Sequence, residues 1–415
     1  MDIIIGAGAT GLAYASFTSN DYLILEADSE IGGYCKTICR DGFVWDYSGH
    51  FFHFRSPEME RWICANIDPA LILKVDKHTQ INYYGTYIDF PFQKNIHQLP
   101  KEEFIECLCD LFCNSYTDYS NFREMLYCKF GRGIAEKFLI PYNEKLYATS
   151  LDRLDTDAMG RFFPYADRNE IIANFRNSDN GSYNGTFDYP VTGAFEYIRS
   201  LLGHVDADRI STGERVLAVD TAAHTVTTDR RTLHYDNLIS TIPFNRFLDL
   251  CGADYDRGLY TWNKVLVFNL GFDAKGADCR NNWVYFPDKE LAFYRVGYYD
   301  NIVGGDRMSL YVELGFPKDA EIDVDYWRTR VLADLAKAGI TRGEKLVAEH
   351  SVIMDPAYVH ITRESAADVA ARKAALATDN IYSIGRYGSW TYCSIEDGMQ
   401  EAKAVAERTA GMVHL

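Results

Sequence analysis

Three glycines near the start of the chain, Gly6, Gly8 and Gly11, directly follow the apolar run Ile3-Ile4-Ile5, and Glu26 closes a second apolar run, Tyr22 to Leu25. Each of these residues has its own task in holding a dinucleotide. Gly6 makes the tight turn from strand to helix, Gly8 lets the backbone approach a pyrophosphate, and Gly11 lets the helix pack on the sheet. The helix opens at Ala9 and Thr10, so its unpaired N–H groups face the phosphates, and the Glu26 carboxylate accepts hydrogen bonds from a ribose diol. A glycine-rich turn in some other α/β unit would explain the glycines but would leave Glu26 without a task. Arg161 and Arg386 are candidates for gripping phosphate, because a guanidinium fork matches phosphate oxygens and stays charged; Arg168 competes with Arg161 for that part.

These residues need a scaffold, and the apolar periodicity outlines one. Residues 1 to about 75 read as β-α-β followed by Gly32-Gly33 and a loop, and 80–92 alternate like short strands. From 101 the period turns helical through Phe104, Ile105, Leu108, Leu111 and Phe112, and helical character continues with breaks to about 175. Asn180-Gly181 and Asn184-Gly185 mark loops, Ala194 to Leu202 is an amphipathic helix, and 214–228 is hairpin-like through Val216, Ala218 and Val226. Asn237 to Ile242 is a buried-type strand stopped by Pro243. Runs at Lys264 to Leu270, Trp283 to Phe286, Leu291 to Tyr298 and Ser309 to Leu314 predict a largely antiparallel sheet, with helices near 325–338 and 363–377. Ile381 to Ile384 is a strand that leads through Gly385-Arg386-Tyr387-Gly388 into a last helix from about Asp397 to Thr409.

At 415 residues the chain calls for two or three lobes sharing a cleft. Its apolar runs are too short to span a bilayer, and its opening directly on a strand leaves no room for a signal peptide. The 10 cysteines follow no disulfide or metal-site spacing. The expectation is therefore a cytoplasmic protein with no metal. A net charge of -17 argues against a nucleic-acid surface. An anionic ligand would have to be won locally by arginines, each worth about 4 kcal/mol at ~4 Å and an effective dielectric near ~20.

FAD is favoured over NAD by Ile31-Gly32-Gly33-Tyr34 after the acid and by the C-terminal strand-turn-helix, which returns to the flavin in two-dinucleotide-fold flavoproteins. In that setting the amides of Ile395 to Met399 would face the flavin pyrimidine, with Gly398 permitting close approach. Four blocks then resemble the UDP-galactopyranose mutases, relatives of the amine oxidase and protoporphyrinogen oxidase flavoproteins. They are Tyr47-Ser48-Gly49-His50-Phe51-Phe52-His53, Pro141-Tyr142-Asn143-Glu144-Lys145-Leu146-Tyr147, Trp283 to Arg295, and Gly385-Arg386-Tyr387-Gly388-Ser389-Trp390-Thr391-Tyr392.

The resemblance implies an α/β (α+β overall) flavoprotein with a Rossmann-like FAD domain, an inserted helical lobe and an antiparallel-sheet substrate domain. The FAD domain would take 1–75, 185–243 and 378–415, the helical lobe 101–180, and the sheet domain 76–100 with 244–377. Tyr34, Ser48, Gly49, His50, Val216 and Gly385 join the glycine motif as implied cofactor contacts, with His50 tuning the flavin edge. Arg161, Arg295, Arg386, Tyr392 and Tyr183 would hold a diphosphate, and Tyr142 and Tyr147 would flank a uracil. The implied activity is pyranose–furanose exchange in a UDP-sugar, by attack of reduced flavin N5 on the anomeric carbon. It would need an electron donor for the flavin and allows a homo-oligomer. Tyr147 stands where the family usually has tryptophan and Phe54 where bacterial members have threonine, which touches the base and sugar pockets.

Plainer readings of the same residues stand beside these. An arginine here can be an interlobe ion pair, each aromatic taken alone can be core, and a histidine between aromatics such as His50 can be a satisfied structural residue. A flavin oxidase or dehydrogenase acting on an amine or another small molecule would use the same cofactor fold; it would need an apolar or aromatic-caged tunnel and usually a lysine near N5.

Overall fold

The computed structural model describes residues 1–178, 180 and 185–410. Five parallel strands form the sheet that carries the glycine motif, in the order Ile381–Ser383, Asn237–Ser240, Asp2–Ile5, Tyr22–Leu25 and Ile210–Ser211. Alternation decides its two faces. Ile4, Ile24, Ile239 and Tyr382 pack on one side against Leu12 and Ala13 of the first helix, Ala9–Phe17, and against Met399, Ala402 and Ala406 of the last helix, Ile395–Thr409. Ile3, Ile5, Leu25, Leu238 and Ile381 pack on the other, under a three-stranded meander (Val216–Asp220, Thr225–Thr228, Thr232–His234) that extends the expected hairpin by one strand. Buried on both faces, these strands are continuous apolar runs, as parallel strands require.

Seven strands form the second sheet, in the order Leu346–Met354, Asn263–Phe272, Ser309–Pro317, Arg295–Tyr298, Trp283–Tyr285, Thr79–Tyr83 and Thr86–Asp89. All neighbours are antiparallel except Trp283–Tyr285 beside Thr79–Tyr83. One face (Leu266, Phe268, Val284, Val296, Val312) is covered by the helix Val324–Lys337 through Val331 and Leu335. The opposite face (Ile81, Val265, Val267, Trp283, Tyr285, Tyr311) meets the helical lobe. That lobe contains Lys101–Phe112, Phe122–Ile134, Ile140–Tyr147 and Arg168–Asn174.

Several expected boundaries are corrected. The strand expected from Leu291 begins only at Arg295; before it, the half-buried ammonium of Lys145 donates to the carbonyls of Phe286, Asp288 and Phe293. The strand Leu346–Met354 was not anticipated: it lies at the sheet edge, and its half-exposed Glu349-His350-Ser351 breaks the apolar pattern. The last helix starts at Ile395 and not Asp397, since the Ser394 hydroxyl and Asp397 carboxylate cap each other's backbone N–H groups in a capping box. Tyr183, Gly181 and Asn184 lie outside the described residues.

Candidate active site

A cavity of about 530 Å3 runs between the parallel sheet, the seven-stranded sheet and the helical lobe. At one end stands the glycine turn. Gly6 has φ +101°, and a Cβ there would lie 2.5 Å from Thr241 Oγ1; a Cβ on Gly11 would lie 2.0 Å from the Gly6 carbonyl oxygen. These two glycines therefore serve the close approach of helix and sheet. Gly8 differs: a Cβ on it would meet nothing nearer than Gly33 Cα at 4.0 Å, so the space over Gly8 and Gly33 is open. The first helix begins there with no side-chain cap and no acidic residue in its first turn, leaving its N–H groups for an anion. Glu26 also lines the cavity; its carboxylate accepts from Ala7 N at 2.7 Å and Asp28 N at 2.9 Å, which fixes it beside the turn with lone pairs to spare. An open glycine cradle, an uncapped helix and an oriented carboxylate are what a dinucleotide needs, and these residues fit one.

Toward the middle, Tyr34, Ser48, Gly49, His50 and Ile395 line the same cavity. A Cβ on Gly49 would lie 2.7 Å from Tyr311 Oη, so only glycine lets this loop lie against the sheet. His50 Nδ1 donates to the Ser48 carbonyl at 3.0 Å, because a carbonyl can only accept. Burial, reinforced by the Arg386 and Arg295 charges, holds His50 down at about 4, so the ring is neutral at pH 7 with Nε2 left as an acceptor.

Other expected cofactor contacts are placed elsewhere. Val216 is packed in the core behind the parallel sheet, and Met399 is fully buried against Leu12 and Ile4. Gly398 and Gly385 give close approach to Thr10 Oγ1, each at 2.7 Å from a built Cβ, rather than to the cavity. In the first turn of the last helix the Ser394 cap takes the Asp397 N–H and Gly398 N bonds back to the Ser394 carbonyl, while Ile395 and Glu396 line the cavity. Glu396 is buried and accepts from Arg55 N and Ser56 N, with a shortest contact of 2.7 Å.

The arginines separate by their partners. Arg386 lines the cavity, donates to the Cys393 carbonyl at 3.2 Å, and lies over the rings of Tyr392 and Tyr358, 4.6 and 5.2 Å from their centroids. Among the described residues no carboxylate pairs with it. Arg295 also lines the cavity, but Glu313 grips it from the facing strand position, with Nε and Nη2 each 2.7 Å from a carboxylate oxygen. Ser48 Oγ donates to the same carboxylate. Arg161 does not line this cavity: its Nη2 is 2.6 Å from Asp397 Oδ2, and it borders a neighbouring groove on the helical lobe. Arg168 is exposed at the start of its helix.

Tyr142 lines the cavity, stacked on Phe138 at 5.2 Å and edge-on to Tyr285 at 5.1 Å. Tyr147 is a correction: it is 1% exposed, lies behind Tyr358 in an edge contact of 5.9 Å, and does not reach the cavity. Tyr358 takes that place, stacked with Tyr392 at 5.7 Å. Asn143, 2% exposed, donates to the Leu139 carbonyl at 2.6 Å, while its Oδ1, buried at the cavity wall, has no partner among the described residues.

Glu313, Tyr358 and Asn143 were missed from the sequence. Asn143 sat beside Tyr142 in a block already singled out, whereas Glu313 is revealed only by strand register and Tyr358 by nothing local. No lysine lines the cavity among the described residues, and they hold no group of three His, Cys, Asp or Glu suited to a metal. None of their helices is long and apolar enough to cross a membrane.

Residues 4–63 match the model of the NAD(P)-binding Rossmann-like domain. The crystal structure of a reduced UDP-galactopyranose mutase superposes with a TM-score of 0.91 over 100% of this chain and 96% of that one, at 22% identity. The chain has the fold of UDP-galactopyranose mutase. Cyclohexylamine oxidase from Brevibacterium oxydans IH-35A gives a TM-score of 0.70 at 12% identity, covering 98% of this chain and 99% of that one. A fatty acid isomerase from P. acnes that produces CLA gives 0.66 at 15%, covering 98% of each. One architecture therefore carries both isomerases and oxidases, and the distinction rests on the cavity.

Proposed function

We propose that this protein is an FAD-dependent nucleotide-sugar mutase that interconverts the pyranose and furanose forms of a nucleotide-diphosphate sugar, UDP-sugars first among them. The observation that carries the reading is Arg386: a half-buried guanidinium at the wall of the cavity with two tyrosine rings beside it and no carboxylate among the described residues. A cation desolvated without a protein counter-ion needs a ligand anion. An amine substrate would be repelled by it, and the absence of a lining lysine among the described residues also separates this cavity from the oxidase alternative.

Bound between Gly8, Gly33, Glu26 and the His50 loop, reduced FAD would supply a nucleophilic nitrogen with no net redox change. The remaining work falls to the chain. Arg386 and the Tyr392 hydroxyl hold the diphosphate so that it leaves and returns without diffusing away. Tyr142 offers its ring to the base, and the unpaired Asn143 Oδ1 is an acceptor for a base N–H. Phe51, Trp283 and Tyr285 exclude water from the sugar end. Neutral His50 keeps its one proton on Nδ1, held by the Ser48 carbonyl, and offers Nε2 as an acceptor at the flavin edge.

The holoenzyme should be yellow, inactive on UDP-galactofuranose until reduced with dithionite, and then isomerise it. Arg386→Ala should weaken UDP binding about 10- to 100-fold, the loss of one or two charge-assisted hydrogen bonds, with flavin content intact. Turnover that consumes oxygen and releases peroxide from an amine without prior reduction would establish the oxidase instead.

A further inference from the structure

We infer that Asp397 is a resident competitor for Arg161 and makes the site select a diphosphate over a monophosphate; the inference rests on the nucleotide-diphosphate reading above. Among the described residues, Arg386 is the arginine lining the cavity that has no carboxylate partner. Arg246 lies near Asp355, with Nη2 3.7 Å from Oδ1, Arg295 is gripped by Glu313, and Arg161 is held by Asp397. A diphosphate presents two phosphoryl groups side by side, and one guanidinium fork spans only one of them, so the second calls for another cation.

The pairs differ in what recruitment costs. Arg295 and Glu313 are joined by two bonds, with side chains 18% and 1% exposed, and separating them would strand a buried carboxylate. Arg161 meets Asp397 through one nitrogen, with side chains 30% and 22% exposed. Asp397 moreover keeps other donors when Arg161 departs: Arg55 Nη2, Ser394 N and Ser394 Oγ, each at 2.8 Å. The same Arg161 nitrogen is 3.2 Å from Ser394 Oγ, and Ser394 lines the cavity with Cys393 and Tyr392 beside Arg386. The adjoining Phe162 lies edge-on to Tyr392 at 4.9 Å. Arg161 is thus one residue from the phosphate end of the cavity, detained by a carboxylate that can spare it. A monophosphate satisfied by Arg386 offers nothing for breaking that pair; a second phosphate does.

The test measures UDP and UMP affinity of the FAD-loaded wild type, Asp397→Asn, Arg161→Ala and the double variant, with flavin content and melting temperature recorded for each. Removing the competitor should tighten UDP about two- to fivefold, the range for a partly exposed ion pair, leave UMP unchanged, and have no effect once Arg161 is alanine. Asp397→Glu, which restores the charge, should keep the wild-type ratio of the two affinities. Should Asp397→Asn fail to fold, Asp397→Ser carries the same expectation. Unchanged or weaker UDP binding, or equal tightening of UMP, overturns the role of Asp397. A wild type that binds neither nucleotide overturns the underlying reading, and this inference with it.

Discussion

Replacing Glu313 by glutamine should move stability and ligand affinity in opposite directions. Glu313 is fully buried, stands directly opposite Arg295 on the neighbouring strand, and takes two of its nitrogens, each at 2.7 Å, together with the Ser48 hydroxyl. Glutamine keeps the shape and one acceptor oxygen, but its amide nitrogen would face an Arg295 N–H, donor against donor. The guanidinium is then left buried without its counter-charge, a loss of about 3–5 kcal/mol when one partner of a buried pair is removed. The released charge stays at the cavity wall, where at ~6 Å and an effective dielectric near ~20 it attracts a unit negative charge by about 3 kcal/mol. Urea unfolding of the wild type and Glu313→Gln, followed by far-UV circular dichroism, reads the first effect; calorimetric titration with UDP reads the second. Lower stability with tighter UDP binding is expected. An unchanged urea midpoint would refute the ion pair as a structural element, and weaker UDP binding would show that Glu313 positions Arg295 rather than neutralising it.

Two further outcomes follow from buried geometry. Burial pushes the Asp46 carboxyl up to about 6 despite hydrogen bonds from Thr37 Oγ1, Tyr189 Oη and Ala194 N. Because this folded value lies above the unfolded one, the stabilisation is complete below about pH 4 and is lost as pH rises through about 6, a change of about 3 kcal/mol. Asp46→Asn, whose amide nitrogen can donate to the Tyr189 hydroxyl, should therefore gain about 3 kcal/mol relative to wild type between about pH 4 and about pH 7.5; parallel stability-against-pH curves would sink the argument. Gly8→Ala should fold as well as wild type, since its Cβ meets only Gly33 Cα at 4.0 Å, yet lose flavin absorbance if the open space over this turn takes the proposed cofactor's pyrophosphate. Full flavin content in this variant would remove the pyrophosphate cradle from this turn.

The nucleotide end of the site was legible in the sequence because its determinants are local. Gly6 to Gly11 and the strand before them fix a turn by backbone sterics alone, and parallel strands buried on both faces announce themselves as apolar runs. Ser394 and Asp397, three residues apart, are a local pattern too, yet the expected start at Asp397 passed over the capping box that begins the last helix at Ile395. Tertiary structure alone decided the substrate end. Tyr147 and Tyr358 carry the same side chain, and only the packing of Ile140–Tyr147 against the sheet buries the first and turns the second to the cavity. Arg161, Arg295 and Arg386 are equally charged in the sequence, but strand register gives Arg295 a carboxylate, the last helix gives one to Arg161, and none of the described residues gives one to Arg386. Which cation is free to act depends on counter-ions brought from distant segments, and chain order does not encode those distances.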